Sequence, residues 1–131
     1  MSALGPVAAI AASGMAAAET RMDVAAQNLA NADSNGAQSG SPAPYRPQRA
    51  DLSSTVAGGV AASVSAQFFG SEAAYDPSAP YADAQGMVAS PAVDMAMQLI
   101  NMQMAMRQFQ ASVRVFRTAD ATARTVLDLR T

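Results

Sequence analysis

The sequence predicts a mainly α protein, in which long N- and C-terminal heptad helices form a coiled-coil hairpin around a small middle segment of loops and β structure. Two observations predict this class. Apolar residues at both ends follow alternating spacings of three and four, the pattern of one helix face. Six of the seven prolines lie between Pro42 and Pro91, and six of the eight glycines lie between Gly36 and Gly86. Turns are therefore expected in the middle of the chain.

The chain has 131 residues, which is at most one domain. The positions of the prolines and glycines divide the chain into three parts. We expect a terminal helix in residues 1–32, a segment of loops and a short strand in 33–91, and a second terminal helix in 92–131.

The N-terminal helix is predicted from a heptad stripe. Its members are Leu4, Ala8, Ala11, Met15, Ala18, Met22, Ala25 and Leu29. Glu19 and Asp23 lie on the opposite face. The stripe is mostly Ala, and burial of one methyl group contributes only about 0.8 kcal/mol, so this helix needs neighbours on several sides. Gly14 lies in the middle of this helical pattern, which indicates either a close approach to a neighbouring backbone or a tolerated flaw.

The C-terminal helix carries two adjacent apolar stripes. The first consists of Met95, Leu99, Met102, Met106, Phe109, Val113 and Phe116. The second consists of Val93, Met97, Ile100, Met104, Ala111 and Val115. Pro91 is predicted to start the helix, because Pro is tolerated in the first turn. A helix over residues 92–130 would be roughly 58 Å long. Because its partner helix is shorter, we expect part of this face to pack against other chains.

The middle segment has a strand pattern in residues 60–68, where apolar and small or polar residues alternate from Val60 to Phe68. Gly58 and Gly59 precede it and can form a turn. A second strand is expected in residues 45–52. Residues 33–44 are predicted to be a flexible loop, and residues 75–91 an extended segment without period.

Composition argues against catalysis and metal binding. The chain has no Cys, no His and no Lys, so the usual nucleophiles, general bases and soft-metal ligands are missing. The Met residues of the C-terminal helix fall on both stripes, which favours packing over a thioether metal site. Asp76 and Asp83 are interpreted as solvated loop acids. We expect no catalytic, cofactor-binding or metal site.

Charge and hydropathy limit the partners. The formal net charge is -2, so a nucleic-acid surface is not expected. No segment has the roughly 20 apolar residues of a membrane span. The first basic residue is Arg21, so no cleaved secretory signal is expected at the start of the chain. The C-terminal arginines are interpreted as a solvated or inter-subunit salt-bridging face; they are Arg107, Arg114, Arg117, Arg124 and Arg130.

Particular motifs resemble the flagellar axial (rod and hook) proteins. The N-terminal motifs are Ser13-Gly14-Met15, Arg21-Met22-Asp23-Val24 and Asn28-Leu29-Ala30-Asn31-Ala32. The middle and C-terminal segments narrow the resemblance to proximal-rod members through Tyr45, Arg46, Asp76, Pro77, Gly86, Asn101, Arg107 and Gln110. This chain has Gln98-Leu99 where those members usually have Glu-Met, and Ser112 where they usually have Asn.

The resemblance implies a structural subunit of the basal-body rod, exported through the flagellar type III apparatus without a cleaved signal and assembled in the periplasm. Implied partners are further copies and other rod subunits, with contacts to hook-basal-body adaptor, export-gate and ring proteins. The alternatives are another rod subunit and a soluble helical export chaperone or adaptor. The residues expected to pack between subunits are Leu4, Ala11, Met15, Met22, Asn28, Leu29, Asn31, Met95, Leu99, Met102, Met106, Phe109, Val113 and Phe116.

Overall fold

A computed structural model describes residues 4–129, except for the side chain of Leu4. Two long helices are joined by two β-hairpins, which agrees with a largely helical chain that has a small β middle. The elements in order are α1 Leu4–Ala30, β1 Gln48–Ser54, β2 Val60–Ala66, β3 Ser71–Tyr75, β4 Met87–Pro91 and α2 Met95–Asp128. Arg130, the last member of the arginine series, lies outside the described residues.

The two helices run in opposite directions along each other. In the first half of α1, a β-carbon on Gly14 would lie 2.8 Å from the Ser112 hydroxyl oxygen. Near its end, Asn28 donates to the Gln98 side chain. Residue numbers rise along α1 while those of its contacts on α2 fall, so the pairing is antiparallel. The contact at Gly14 is with a side chain, that of Ser112, so the predicted close approach to a neighbouring backbone is not confirmed.

Helix α2 begins at Met95, not in the first turn after Pro91 as predicted. Asp94 is the N-cap, with extended backbone angles, and its carboxylate accepts from the Met97 amide at 3.0 Å. An N-cap carboxylate satisfies one of the free amides of the first turn. Pro91 is instead the last residue of β4 and pairs with Ser71. At 34 residues, α2 is about 51 Å long.

The core between these elements is built from small side chains. In the described part of the chain, the buried hydrophobic residues are Ala11, Ala17, Ala18, Val24, Ala25, Ala32, Val88, Ala89, Ala105 and Ala119. The buried residues of α2 are Gln98, Ala105 and Ala119, and none of them belongs to either predicted apolar stripe. With about 100° between successive helical residues, the two stripes flank this small and polar seam on either side.

Strands β1 and β2 form an antiparallel hairpin with Gln48 opposite Ala66. The predicted turn at Gly58 and Gly59 is confirmed, and both have positive φ. The predicted apolar face of β2 is wrong beyond its first residues, because Val64 is exposed and Phe68 lies past the strand end with 89% exposure.

Residues 75–91 are not simply extended, because their ends belong to a second antiparallel hairpin, β3–β4. The sequence does not predict β4 because this strand is largely buried, so its apolar and polar residues do not alternate. The loop after α1 is also fixed, at Gly36 and at Gln38, whose side chain donates to the Val88 carbonyl at 2.8 Å. Gly36 and Ala89 exchange two backbone hydrogen bonds of 2.8 Å, so residues 33–44 are held on the edge of this hairpin.

Candidate assembly surface

Asn28 is a polar junction between α1, the middle segment and α2. Its side chain is 1% exposed. Nδ2 donates to the Gln48 carbonyl at 2.7 Å and to Gln98 Oε1 at 3.2 Å. Oδ1 accepts from the Gln48 amide at 2.8 Å and from the Tyr45 hydroxyl at 3.1 Å. Four bonds saturate the amide, so its burial is compensated and its orientation is fixed.

The other motif residues around this junction have smaller structural roles. Asn31 is half-buried and caps the end of its helix locally, since Nδ2 donates to the Gln27 carbonyl and Oδ1 accepts from Ser34. Arg46 is exposed and donates to the Gln67 carbonyl at 3.4 Å. Among these motif residues, Asn28 and Tyr45 are therefore hydrogen-bonded to each other, whereas Asn31 and Arg46 lie outside the Asn28 junction.

The middle motif residues Asp76, Pro77 and Gly86 meet at the turn of the β3–β4 hairpin. Asp76 Oδ1 accepts from the Ser78 amide and hydroxyl, which builds the turn. Gly86 has φ of 75°, and a β-carbon there would lie 3.0 Å from both the Tyr75 ring and Pro77. Asp76 and Gly86 thus stabilise the backbone conformation of the turn. Asp83 does the same on the other side, accepting from the amides of Gln85 and Met87.

The predicted packing residues of α2 divide between the seam and one open flank. Met102, Phe109 and Val113 are half-buried beside α1. The exposed members of the same stripe are Met95, Leu99, Met106 and Phe116. On the other flank, the large exposed members of the second stripe are Met97, Ile100, Met104 and Val115. A single chain therefore leaves apolar side chains uncovered on both sides of α2, which makes the two flanks a candidate interaction surface.

The packing residues of α1 lie closer to the chain's own core. Ala11 is buried, and Met15, Met22 and Leu29 are half-buried. Leu4 is in the helix, but its side chain lies outside the described residues. Of the remaining motif residues on α2, Asn101 is half-buried, whereas Arg107 and Gln110 are exposed and point away from α1.

Two ionisable side chains in this region have shifted pKa values. Burial raises the pKa of Tyr45, whose hydroxyl donates to Asn28. The Ser65 hydroxyl donates to Asp51 across the β1–β2 hairpin and, together with Arg49, lowers the pKa of Asp51. Both shifts are explained by structural contacts.

The surface offers little chemistry beyond packing. Within residues 4–129, no three His, Cys, Asp or Glu side chains are grouped so that they could hold a metal ion. A cavity of 170 Å³ lies between α1, β1 and α2 and is lined mainly by polar side chains, including Arg21 and Gln98. None of the helices in this part of the chain is long and apolar enough to cross a membrane.

Two features of the surface were missed from the sequence. In the sequence, Gln98 is only a departure from a motif, yet in the structure its side-chain oxygen accepts from the Asn28 amide between α1 and α2. Phe68 and Phe69 form an edge-to-face pair with ring centroids 5.1 Å apart, and both are more than three-quarters exposed. Their position beyond the end of β2 could not be read from alternation alone.

Two family models match the two ends of the chain. One is described as flagella basal body rod protein and covers residues 9–38. The other is described as flagellar basal body rod FlgEFG protein C-terminal and covers residues 84–129. The matched regions contain the Asn28 motif and the whole of α2.

Curated relatives extend the match over most of the chain. The flagellar basal-body rod protein FlgC of Salmonella typhimurium is 38% identical over 115 residues, covering 83% of this chain and 84% of that protein. FlgC of Agrobacterium fabrum is 33% identical over 134 aligned positions, covering 96% and 95% of the two chains. FlgC of Yersinia enterocolitica is 36% identical over 118 residues, covering 83% and 84%.

Proposed function

The chain belongs to the FlgC family of flagellar basal-body rod proteins and is a structural subunit of that rod; we propose that it polymerises through its terminal helices into the drive shaft that transmits torque from motor to hook. The observation that carries this proposal is the pair of uncovered apolar flanks on α2. Apolar stripes on both sides of one helix require neighbours on both sides, as a closely packed layer of helices supplies.

The thin core supports the same proposal. Apart from Val24 and Val88, the buried hydrophobic residues of the described chain are alanines. Small side chains let helices approach closely but contribute little transfer free energy each. A helix pair of this kind gains its main stabilisation when further helices cover its flanks. In that assembly, α1 and α2 pack as a coiled-coil hairpin in the inner layer of the rod, where many weak helix contacts add up to torsional stiffness.

We further propose the periplasmic, proximal rod as its place, reached through the flagellar type III export apparatus. Its neighbours there are copies of itself and other rod subunits, with contacts to the hook-basal-body adaptor, export-gate and ring proteins. Its role is mechanical, and no reaction is assigned to it.

The proposal is tested by deleting the gene in a motile bacterium that encodes it and isolating basal bodies. We expect a non-motile strain without hooks, and a tagged full-length chain that restores motility and copurifies with basal bodies. An unrelated flagellar export chaperone expressed with the same tag serves as the control, since it should remain in the cytoplasmic fraction. If the tagged chain also stays in that fraction while basal bodies form, the chaperone alternative replaces the rod subunit.

A further inference from the structure

The exposed face of α1 is acidic. Glu19 and Asp23 lie one turn apart, on the side turned away from α2, and both are exposed. Arg21, the basic residue between them, turns toward α2 and donates to Gln108 at 2.8 Å. The outward charge of α1 is therefore negative.

The exposed face of α2 is basic over the region that runs beside α1. Arg107, Arg114 and Arg117 are exposed, and the sequence of α2 contains no acid from Met95 to Ala119. With about 100° per residue, Arg114 lies roughly opposite Ser112, the residue that contacts Gly14. The arginines therefore face away from the chain's own α1.

These two faces cannot neutralise each other within one chain, because they point away from the helix seam. In the described part of the chain, the ion pairs join Arg49 to Asp51 and Arg124 to Asp120. Neither of them involves the acids of α1 or the three arginines. Five charges of complementary sign thus remain open on two separate faces of the same molecule.

We propose that the acidic face of α1, Glu19 and Asp23, docks on the basic face of α2, Arg107, Arg114 and Arg117, of a second copy of this chain. The inference rests on the proposed function, in which copies pack side by side. Because the two faces differ, the contact is heterologous, and each copy uses one face for each of two neighbours. Such a contact propagates into a ring or helix.

The spacing of the charges sets a register. α1 and α2 are antiparallel within a chain, so a copy in the same orientation presents an antiparallel α2 to this α1. Asp23 opposite Arg114 then brings Glu19 to Arg117, since both pairs are separated by one helical turn. The apolar flanks supply contact area, and the charges select the partner and the register.

The absence of Cys allows a direct test by cysteine crosslinking. Full-length D23C and R114C variants, with tags of different size, are co-expressed in the deletion strain and treated with a short bis-maleimide. We expect a mixed dimer of the two variants and no dimer from either variant expressed alone. R107C replaces R114C in a second pair to detect a shift in register. V56C, on the exposed β1–β2 turn, is the control and should not link to D23C.

Charge exchange gives a second readout. We expect at least a tenfold loss of the chain from basal bodies for E19R/D23R and for R114E/R117E, and recovery when all four changes are combined. No mixed dimer with either arginine position, or a D23C link to a different rod protein, overturns the second-copy contact. The unchanged chain, which has no Cys, is expressed in the same strain. If it copurifies with basal bodies although no mixed dimer forms, the second-copy contact fails and the proposed function stands. The failure of one proposal is therefore distinguishable from the failure of the other.

Discussion

Gly14 of α1 lies directly against the side chain of Ser112 of α2, since a β-carbon on Gly14 would lie 2.8 Å from the Ser112 hydroxyl oxygen. The Ser112 β-carbon would be 3.7 Å away, an ordinary contact. Only the hydroxyl must move to admit a methyl group. The seam thus tolerates one added atom and little more.

Gly14→Ala is expected to change the free energy of unfolding by less than about 1 kcal/mol. The gain in helix propensity of about 1 kcal/mol offsets the rotation of Ser112. Gly14→Leu is expected to cost about 1–3 kcal/mol, because the larger side chain separates the helices. Urea unfolding followed by far-UV circular dichroism measures both. Ala12→Leu, on the exposed face of α1, is the matched control, and an equal loss there would contradict a specific approach at Gly14.

Asn28→Ala is expected to cost about 3 kcal/mol, because it removes four bonds and leaves the Gln48 amide and carbonyl without their partner. Asn31→Ala is the matched control. It lies in the same motif but makes local bonds at the helix end, so its cost should stay below about 1 kcal/mol. Equal losses in urea unfolding would show that the junction at Asn28 has no special weight.

The same junction shows how far the sequence carries a prediction. The two helices, the hairpin turn at Gly58 and Gly59, and the uncovered apolar stripes follow from spacing, because helical periodicity is local. The partners of Asn28 do not, because Gln48 and Gln98 are 20 and 70 residues away and carry no local signal. The sequence pattern does not predict β4 for a different reason: a strand that is buried on both faces has no alternation of apolar and polar residues.

Gly86→Ala is expected to destabilise the β3–β4 hairpin more than Gly40→Ala destabilises its own loop. Both glycines have positive φ, which costs an alanine about 1–2 kcal/mol. Only at Gly86 does the added carbon also press on Tyr75 and Pro77 at 3.0 Å, whereas the space at Gly40 is open. Hydrogen exchange of the Asp76 amide, which donates to the Gly86 carbonyl, reports the hairpin, and exchange of the Ala37 amide, which donates to the Pro42 carbonyl, reports the loop of Gly40. Equal increases of exchange at these two amides in the respective variants would argue against the crowding.

Ser65→Ala is expected to raise the pKa of Asp51 toward its ordinary value. The Ser65 hydroxyl donates to the ionised carboxylate and is the largest cause of its lowered pKa. A lowered folded-state pKa means that the pair favours the fold above the ordinary Asp pKa and loses that effect as the pH falls through the folded value. NMR titration of the Asp51 carboxyl carbon measures the shift. Ser63 is paired with Asp51 through the backbone of the ladder, but its hydroxyl does not donate to the carboxylate, so Ser63→Ala should leave the pKa of Asp51 unchanged.

Leu99→Gln is expected to leave the isolated chain folded and to reduce its assembly. Leu99 is 48% exposed on the open flank of α2, so a single chain loses little when it becomes polar. In a rod, the same side chain would be covered by a neighbour, and the substitution would cost about 1.5–3 kcal/mol at every copy. We expect unchanged circular dichroism and at least a tenfold lower yield in basal bodies. Gln85→Ser, on the exposed turn of the β3–β4 hairpin, is the control. Normal assembly of Leu99→Gln would show that this flank is not a subunit contact.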